Sequence, residues 1–121
     1  MRYKFRGQRL DNNEWVYGSL IQEGHGEGHY YYEIHDPKSD TQHLVAHATV
    51  GQFTGLHDRN GREIYEGDVV YHDNSQTRGP VEWVKDSCRF ECMDETETPP
   101  NFIINSEYEV IGTIHDKEVT K

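Results

Sequence analysis

The sequence has no long apolar run. None of its hydrophobic stretches approaches the length of a membrane-spanning helix, and its first residues lack the apolar core of a secretion signal. Cysteine is scarce. There are two, Cys88 and Cys92, and with no signal segment they point to a reducing compartment, the cytoplasm. Basic side chains are also few: 12 Lys and Arg stand against 22 Asp and Glu, for a formal net charge of −10. A groove that neutralises phosphates needs clustered Lys and Arg. Here they are thinly spread, so binding to duplex DNA is disfavoured, while an acidic surface suits a basic partner. No repeat and no long amphipathic helix is found. Catalytic patterns are missing too: no nucleophile context, no zincin spacing. No cofactor, no resident metal and no membrane association are expected.

Aromatic bulk is what the chain does have, with eight Tyr, four Phe and two Trp. Rings pack well on pleated surfaces, so this mix favours β-structure. A length of 121 residues suits one domain, or two small β subdomains, about 1–50 and 51–121, sharing a core.

The most informative stretch is Gln52 to Tyr71. Asn60-Gly61 is a strong turn signal because both residues tolerate positive φ, and the Asp58 carboxylate ahead of it can cap a turn. Glu66-Gly67 marks a second turn. Asp68 to Tyr71 then reads as a β-branched and aromatic strand, with Ile64 and Tyr65 held between the turns as a short bridge. Asp58, Asn60 and Glu63 invite comparison with a calcium loop. That loop needs glycine at its sixth position and glutamate at its twelfth, whereas Gly61 falls at the fourth and Val69 at the twelfth.

Around this block the chain reads as short strands. Tyr3 to Arg6 alternates, Asp11 to Asn13 supplies turn chemistry, and Glu14 to Ile21 returns as the second strand of a hairpin. Trp15, Tyr17 and Ser19 share one face of it and Val16 and Leu20 the other. Gly24 to His29 carries His25, Glu27 and His29, candidate metal ligands, but its glycines oppose the pre-ordered ligands a site requires, so a mobile hairpin tip is expected. Tyr30 to Ile34 is the next strand and Asp36 to Asp40 a turn. Gln42 to Phe53 reads as an irregular approach to a strand at Thr49–Phe53, where His43 and His47 lose the common face a helix would give them. Asp73 to Gly79 reads as a loop, Pro80 to Val84 as a strand, and Cys88 to Cys92 as another, with Cys88, Phe90 and Cys92 inward. Strand residues four apart lie roughly 13 Å from each other, too far for a disulfide, so both cysteines are expected as small buried hydrophobes. Asp94 to Pro100 is an exposed acidic loop, and Asn101–Ile104 and Tyr108–Ile114 are the last strands. The fold class is therefore all-β: an N-terminal hairpin region followed by a small SH3-like barrel over Asp68 to Ile114, with little helix.

Three stretches carry a family resemblance. Thr49-Val-Gly-Gln-Phe-Thr-Gly-Leu56 followed by Asp58-Arg-Asn-Gly-Arg-Glu-Ile-Tyr-Glu-Gly-Asp-Val-Val70 resembles the hallmark of the YopX family, small proteins of phages and prophages of Gram-positive bacteria. Lys4 to Gly18 is similar to that family's N-terminal hairpin, and Ser106 to Ile114 to its closing strand. The resemblance implies an accessory protein in the cytoplasm of a bacterial host. It supplies no catalytic or binding residues, because the family is a domain of unknown function.

Three functions follow as alternatives. One is a non-enzymatic β domain that binds a protein of phage or host. Another is a single-stranded nucleic-acid module stacking bases on Tyr30, Tyr31 and Tyr32. The third is a metal-dependent hydrolase built on His25, Glu27 and His29. The residues that stand out are structural turns at Asp58, Asn60, Gly61, Glu66 and Gly67, and an aromatic interface at Trp15, Tyr17, Tyr30, Tyr31 and Tyr32. That much ring surface exceeds what one thin sheet can hide, so self-association into a dimer or larger ring is expected through the N-terminal half.

Overall fold

The computed structural model describes residues 4–24, 30–93 and 102–116. They contain eleven β-strands, one 3-10 turn and no α-helix, so the all-β expectation holds. The chain divides into two compact units, Met1–Phe53 and Thr54–Lys121.

The first unit is built from β1 (Phe5–Gln8), β2 (Trp15–Gly24), β3 (Tyr30–Asp36), β4 (Thr41–Val45), a 3-10 turn at His47–Thr49, and the start of β5 (Gly51–His57). The strands lie in the order β4-β3-β2-β1-β5, each antiparallel to its neighbour. Alternation sorts the side chains, since residues paired across strands share a face. The inner face carries Val16 and Leu20 of β2, Tyr32 and Ile34 of β3, and Val45 of β4. Ile34 and Val45 are buried. Gly7 is required against Val45, because a Cβ there would stand 3.0 Å from the valine Cβ and Cγ2. Gly18 is tighter still: an added Cβ would meet the His35 carbonyl oxygen at 1.9 Å.

The far end of β4 turns back onto the end of β1. Arg9 bridges Val45, Leu10 N–H donates to Leu44 O (3.1 Å), and Ala46 N–H donates to Gln8 O (2.9 Å). Gln8 N–H donates to Thr49 Oγ1 (2.9 Å), which uses its own hydroxyl to cap Ala46 O (2.6 Å). This fixes the 3-10 turn, which has no helical length to stand alone.

The second unit contains the rest of β5, then β6 (Glu63–Tyr65), β7 (Asp68–His72), β8 (Thr77–Val84), β9 (Arg89–Cys92), β10 (Phe102–Ile103) and β11 (Glu109–Thr113). β6 lies beside β5, and the other five form a sheet in the order β10-β9-β8-β7-β11. Its core is Ile64, Val70, Val81, Cys92, Ile104, Tyr108 and Val110, with Phe90 packed against it. Each such side chain contributes on the order of 1.5–3 kcal/mol when fully buried.

Three expectations are corrected and one is not confirmed. The SH3-like barrel is not confirmed: among the described strands β10 pairs with β9 and β11 with β7, and no closed barrel is formed. The approach expected over Gln42–Phe53 contains a full strand, β4, because Thr41–Val45 pairs residue for residue with Tyr32–Asp36. The loop expected to run to Gly79 stops at Gln76, where β8 begins and pairs Thr77 with His72. Cys88 is likewise not inward. It sits in the β8–β9 turn with φ 52° and is exposed, while Cys92 is buried; both are free thiols.

Candidate functional site

The Gln52–Tyr71 block is a polar framework for the second unit. Asp58 is buried, at 5% exposure. Its Oδ1 accepts from Asn60 N–H (2.9 Å) and Arg62 N–H (2.8 Å), and its Oδ2 accepts from Val110 N–H (2.9 Å) in β11. One carboxylate thus ties the turn to a strand far along the chain. Burial pushes its carboxyl up, but the three N–H donors and the Arg62 charge outweigh this and hold it below the usual carboxylate value. Gly61 has φ 84° and Gly67 φ 93°, the left-handed region that glycine enters freely. Gly67 N–H donates to Val81 O and its own carbonyl accepts from Ile114 N–H, both at 2.9 Å. Glu66 beside it is half-buried. Arg59 forks between Asp73 (2.7 Å) and Glu109 (2.8 Å). The Asp58 and Gly67 hydrogen bonds hold backbone in place, while the Arg59 pairs join side chains.

The first unit offers a surface instead. Its outer face carries Trp15, Tyr17 and Ile21 of β2, Tyr31 and Glu33 of β3, and Gln42 and Leu44 of β4, as the register dictates. The Arg6 guanidinium lies over the Trp15 ring, 4.4 Å from its centroid, a cation–π contact that fixes the indole. Tyr17 is 39% exposed. At the β4 side of this face lies a cleft of about 290 Å³ between the β1–β2 turn and strands β3 and β4. Leu10, 61% exposed, and Leu44, 46% exposed, flank it. Glu33, Gln42 and His43 also line it. On its rim Arg9 grips Asp11 with two hydrogen bonds, Nε to Oδ1 at 3.0 Å and Nη2 to Oδ2 at 2.7 Å. This bidentate contact holds the Asp11 carboxyl below its usual value. His43 Nε2 contacts Thr41 Oγ1 at 2.9 Å.

Comparison with known proteins bears on the whole chain. The family described as YopX protein matches residues 4–118. The chain belongs to the YopX family. No curated protein matches it.

In this YopX chain the aromatic residues singled out from sequence do not form one cluster. Trp15, Tyr17 and Tyr31 share the outer face. Tyr32 faces inward and stacks on His47, with ring centroids 4.3 Å apart and planes 10° from parallel. Tyr31 and Tyr32 therefore point to opposite sides of β3. Tyr30 starts that strand opposite Gly24. The trio His25, Glu27 and His29 lies outside the described residues. Among those described, no group of three or more His, Cys, Asp or Glu is placed to hold a metal ion, and no helix is long and apolar enough to cross a membrane.

Sequence reasoning missed Leu10, Leu44 and Glu33, which come together through the β3–β4 pairing of Glu33 with Leu44 and the return of the β1–β2 turn onto β4. A leucine stranded beside the turn residues Asp11 to Asn13 was the one local signal. Trp83 was missed as well: it is 50% exposed, edge-on to Phe90 with centroids 5.1 Å apart, at the turn end of the β8–β9 hairpin.

Proposed function

We propose that this YopX-family chain is a protein-binding β domain that acts by docking rather than by catalysis, and that the outer face of its first unit is the docking surface. The observation that carries this reading is the pair Leu10 and Leu44, both largely exposed and joined by a main-chain hydrogen bond beside an open cleft. Two large aliphatic side chains held side by side in water have no role in the core, and adjoining exposed apolar groups mark interaction sites. Tyr17 on the same sheet face adds the aromatic surface that interfaces favour, and the strands beneath supply a rigid platform. The net charge of −10 favours a basic partner.

The test is retention of partner proteins from cells that express the chain. Three immobilised proteins are compared: wild type, the double variant Leu10→Ser/Leu44→Ser, and Trp83→Ser as a control in the other unit. Circular dichroism first establishes that all three are folded. A protein held by wild type and by Trp83→Ser but released by the double variant supports the reading. Equal retention by all three contradicts it. Should the retained protein be a second copy of the chain, light scattering shows a mass that rises with concentration in wild type and stays monomeric in the double variant.

A further inference from the structure

We propose that the cleft between Leu10 and Leu44 is a pocket for one cationic side chain, lysine or arginine, of the docked partner. The inference rests on the docking function above and names the chemistry that the docking surface reads.

Size comes first. Ligand pockets for free small molecules run from about 300 to 1,000 Å³. At about 290 Å³ this cleft lies at the lower edge of that range, with room for a single side chain presented by a larger partner. Its walls come next. Leu10 and Leu44 are apolar and exposed, the surface against which the methylene stem of a long basic residue lies while its charged end stays with polar groups.

The charge decides the sign of the guest. Two carboxylates line the cleft. Asp11 is already neutralised by the bidentate Arg9. Glu33 is half-buried on β3 and makes no hydrogen bond or ion pair among the described residues. Its strand neighbours on the same face are Ile21 and Leu44, neither of which can compensate a charge. Glu33 thus leaves the cleft one carboxylate that is not matched within the described residues, and a cation arriving from a partner would pair with it. The Gln42 amide, two residues from Leu44 on the same face of β4, offers a carbonyl acceptor alongside. Arg9, paired with Asp11, makes no hydrogen bond or ion pair with Glu33.

The experiment is an NMR titration of the isotope-labelled full chain with three blocked tripeptides, Gly-Lys-Gly, Gly-Arg-Gly and Gly-norleucine-Gly. Norleucine keeps the aliphatic stem and loses the charge. The expected result is saturable shifts at the amides of Leu10, Glu33 and Leu44 with the lysine or arginine peptide, half-complete in the millimolar range, roughly the affinity of a single small contact. Norleucine should bind about tenfold more weakly, and Glu33→Gln should weaken the cationic peptides by about the same factor. Glu82→Gln, a change in the other unit, should leave them unaffected. Equal binding of norleucine, undiminished binding to Glu33→Gln, or no saturable shift for either cationic peptide overturns the proposal. If the peptides fail while Leu10→Ser/Leu44→Ser still releases the partner, the docking function stands and the cationic pocket falls. If the peptides bind but the double variant keeps the partner, the pocket stands and the docking surface lies elsewhere.

Discussion

Replacing Asp58 by asparagine removes one acceptor oxygen from a buried carboxylate. The remaining Oδ1 can keep Asn60 N–H and Arg62 N–H, but the new amide presents a donor to Val110 N–H, where Oδ2 now accepts at 2.9 Å. A hydrogen bond to a charged group contributes about 1.5–3 kcal/mol, and a buried donor left unmade costs about 1–3 kcal/mol. The two overlap here, because they concern the same N–H, so the expected loss is about 2–3 kcal/mol. Asp58→Ala removes both acceptor oxygens and with them all three hydrogen bonds. The Asn60 and Arg62 amides border exposed residues and can turn to water, so it should cost only about 1 kcal/mol more. Total stability of such domains is about 5–15 kcal/mol, so either change is readily measured. Urea unfolding followed by tryptophan fluorescence should show a lower midpoint at an unchanged slope. The pH dependence has a definite sign. The folded carboxyl lies below its usual 3.8, so its stabilisation is complete at pH values well above 3.8 and is lost as the pH falls through the depressed folded value. The gap between wild type and Asp58→Asn should therefore be widest near neutrality and close in strong acid. A midpoint for Asp58→Asn equal to that of wild type at pH 7 would refute the claim that this carboxylate ties the turn to β11.

Other outcomes follow from single positions. Gly18→Ala should destabilise the first unit severely, because its Cβ would meet the His35 carbonyl oxygen; hydrogen exchange should show β2 and β3 losing protection while β7 and β8 keep theirs. Gly61→Val should cost roughly 1–3 kcal/mol through backbone strain alone, since nothing lies within 4 Å of an added Cβ, and Gly61→Asn should cost clearly less because asparagine tolerates positive φ; equal midpoints would contradict this. Ile64→Ala, at a fully buried core position, should cost about 2–5 kcal/mol in the same unfolding assay. A thiol reagent should modify Cys88 at once in the native protein and reach Cys92 only on unfolding; simultaneous labelling of both would contradict the packing of β9.

The elements that could be read in advance are those whose pattern is local. Asn60-Gly61 and Glu66-Gly67 announce turns because few residues accept positive φ, and Asp68 to Tyr71 announces a strand because β-branched and aromatic residues crowd together. β4 gave no such signal. Ala46, His47 and Ala48 blur its end, and it is a strand because β3 offers it a partner over its whole length. The first residues of β8 were hidden the same way: Arg78 and Gly79 are poor strand formers, recruited by pairing with Tyr71 and Val70. Cys88 alternated in phase with Phe90, but a turn residue obeys no alternation. The expected barrel is not confirmed, because strand count does not fix whether a sheet closes. The cleft was unreadable for a related reason. Leu10, Glu33 and Leu44 belong to three segments, and the first turn meets β4 only through the Arg9–Val45 bridge and the backbone bonds beside it.

The claim that the first unit docks a protein is tested most directly by a photo-crosslinking amino acid placed at position 44 in living cells, with the same group at position 75, in an exposed turn of the second unit, as the comparison. Light should produce a discrete heavier adduct from position 44, reduced when Glu33→Gln is added, and none from position 75. Absence of any adduct at position 44, or the same adducts from both positions, would contradict the account.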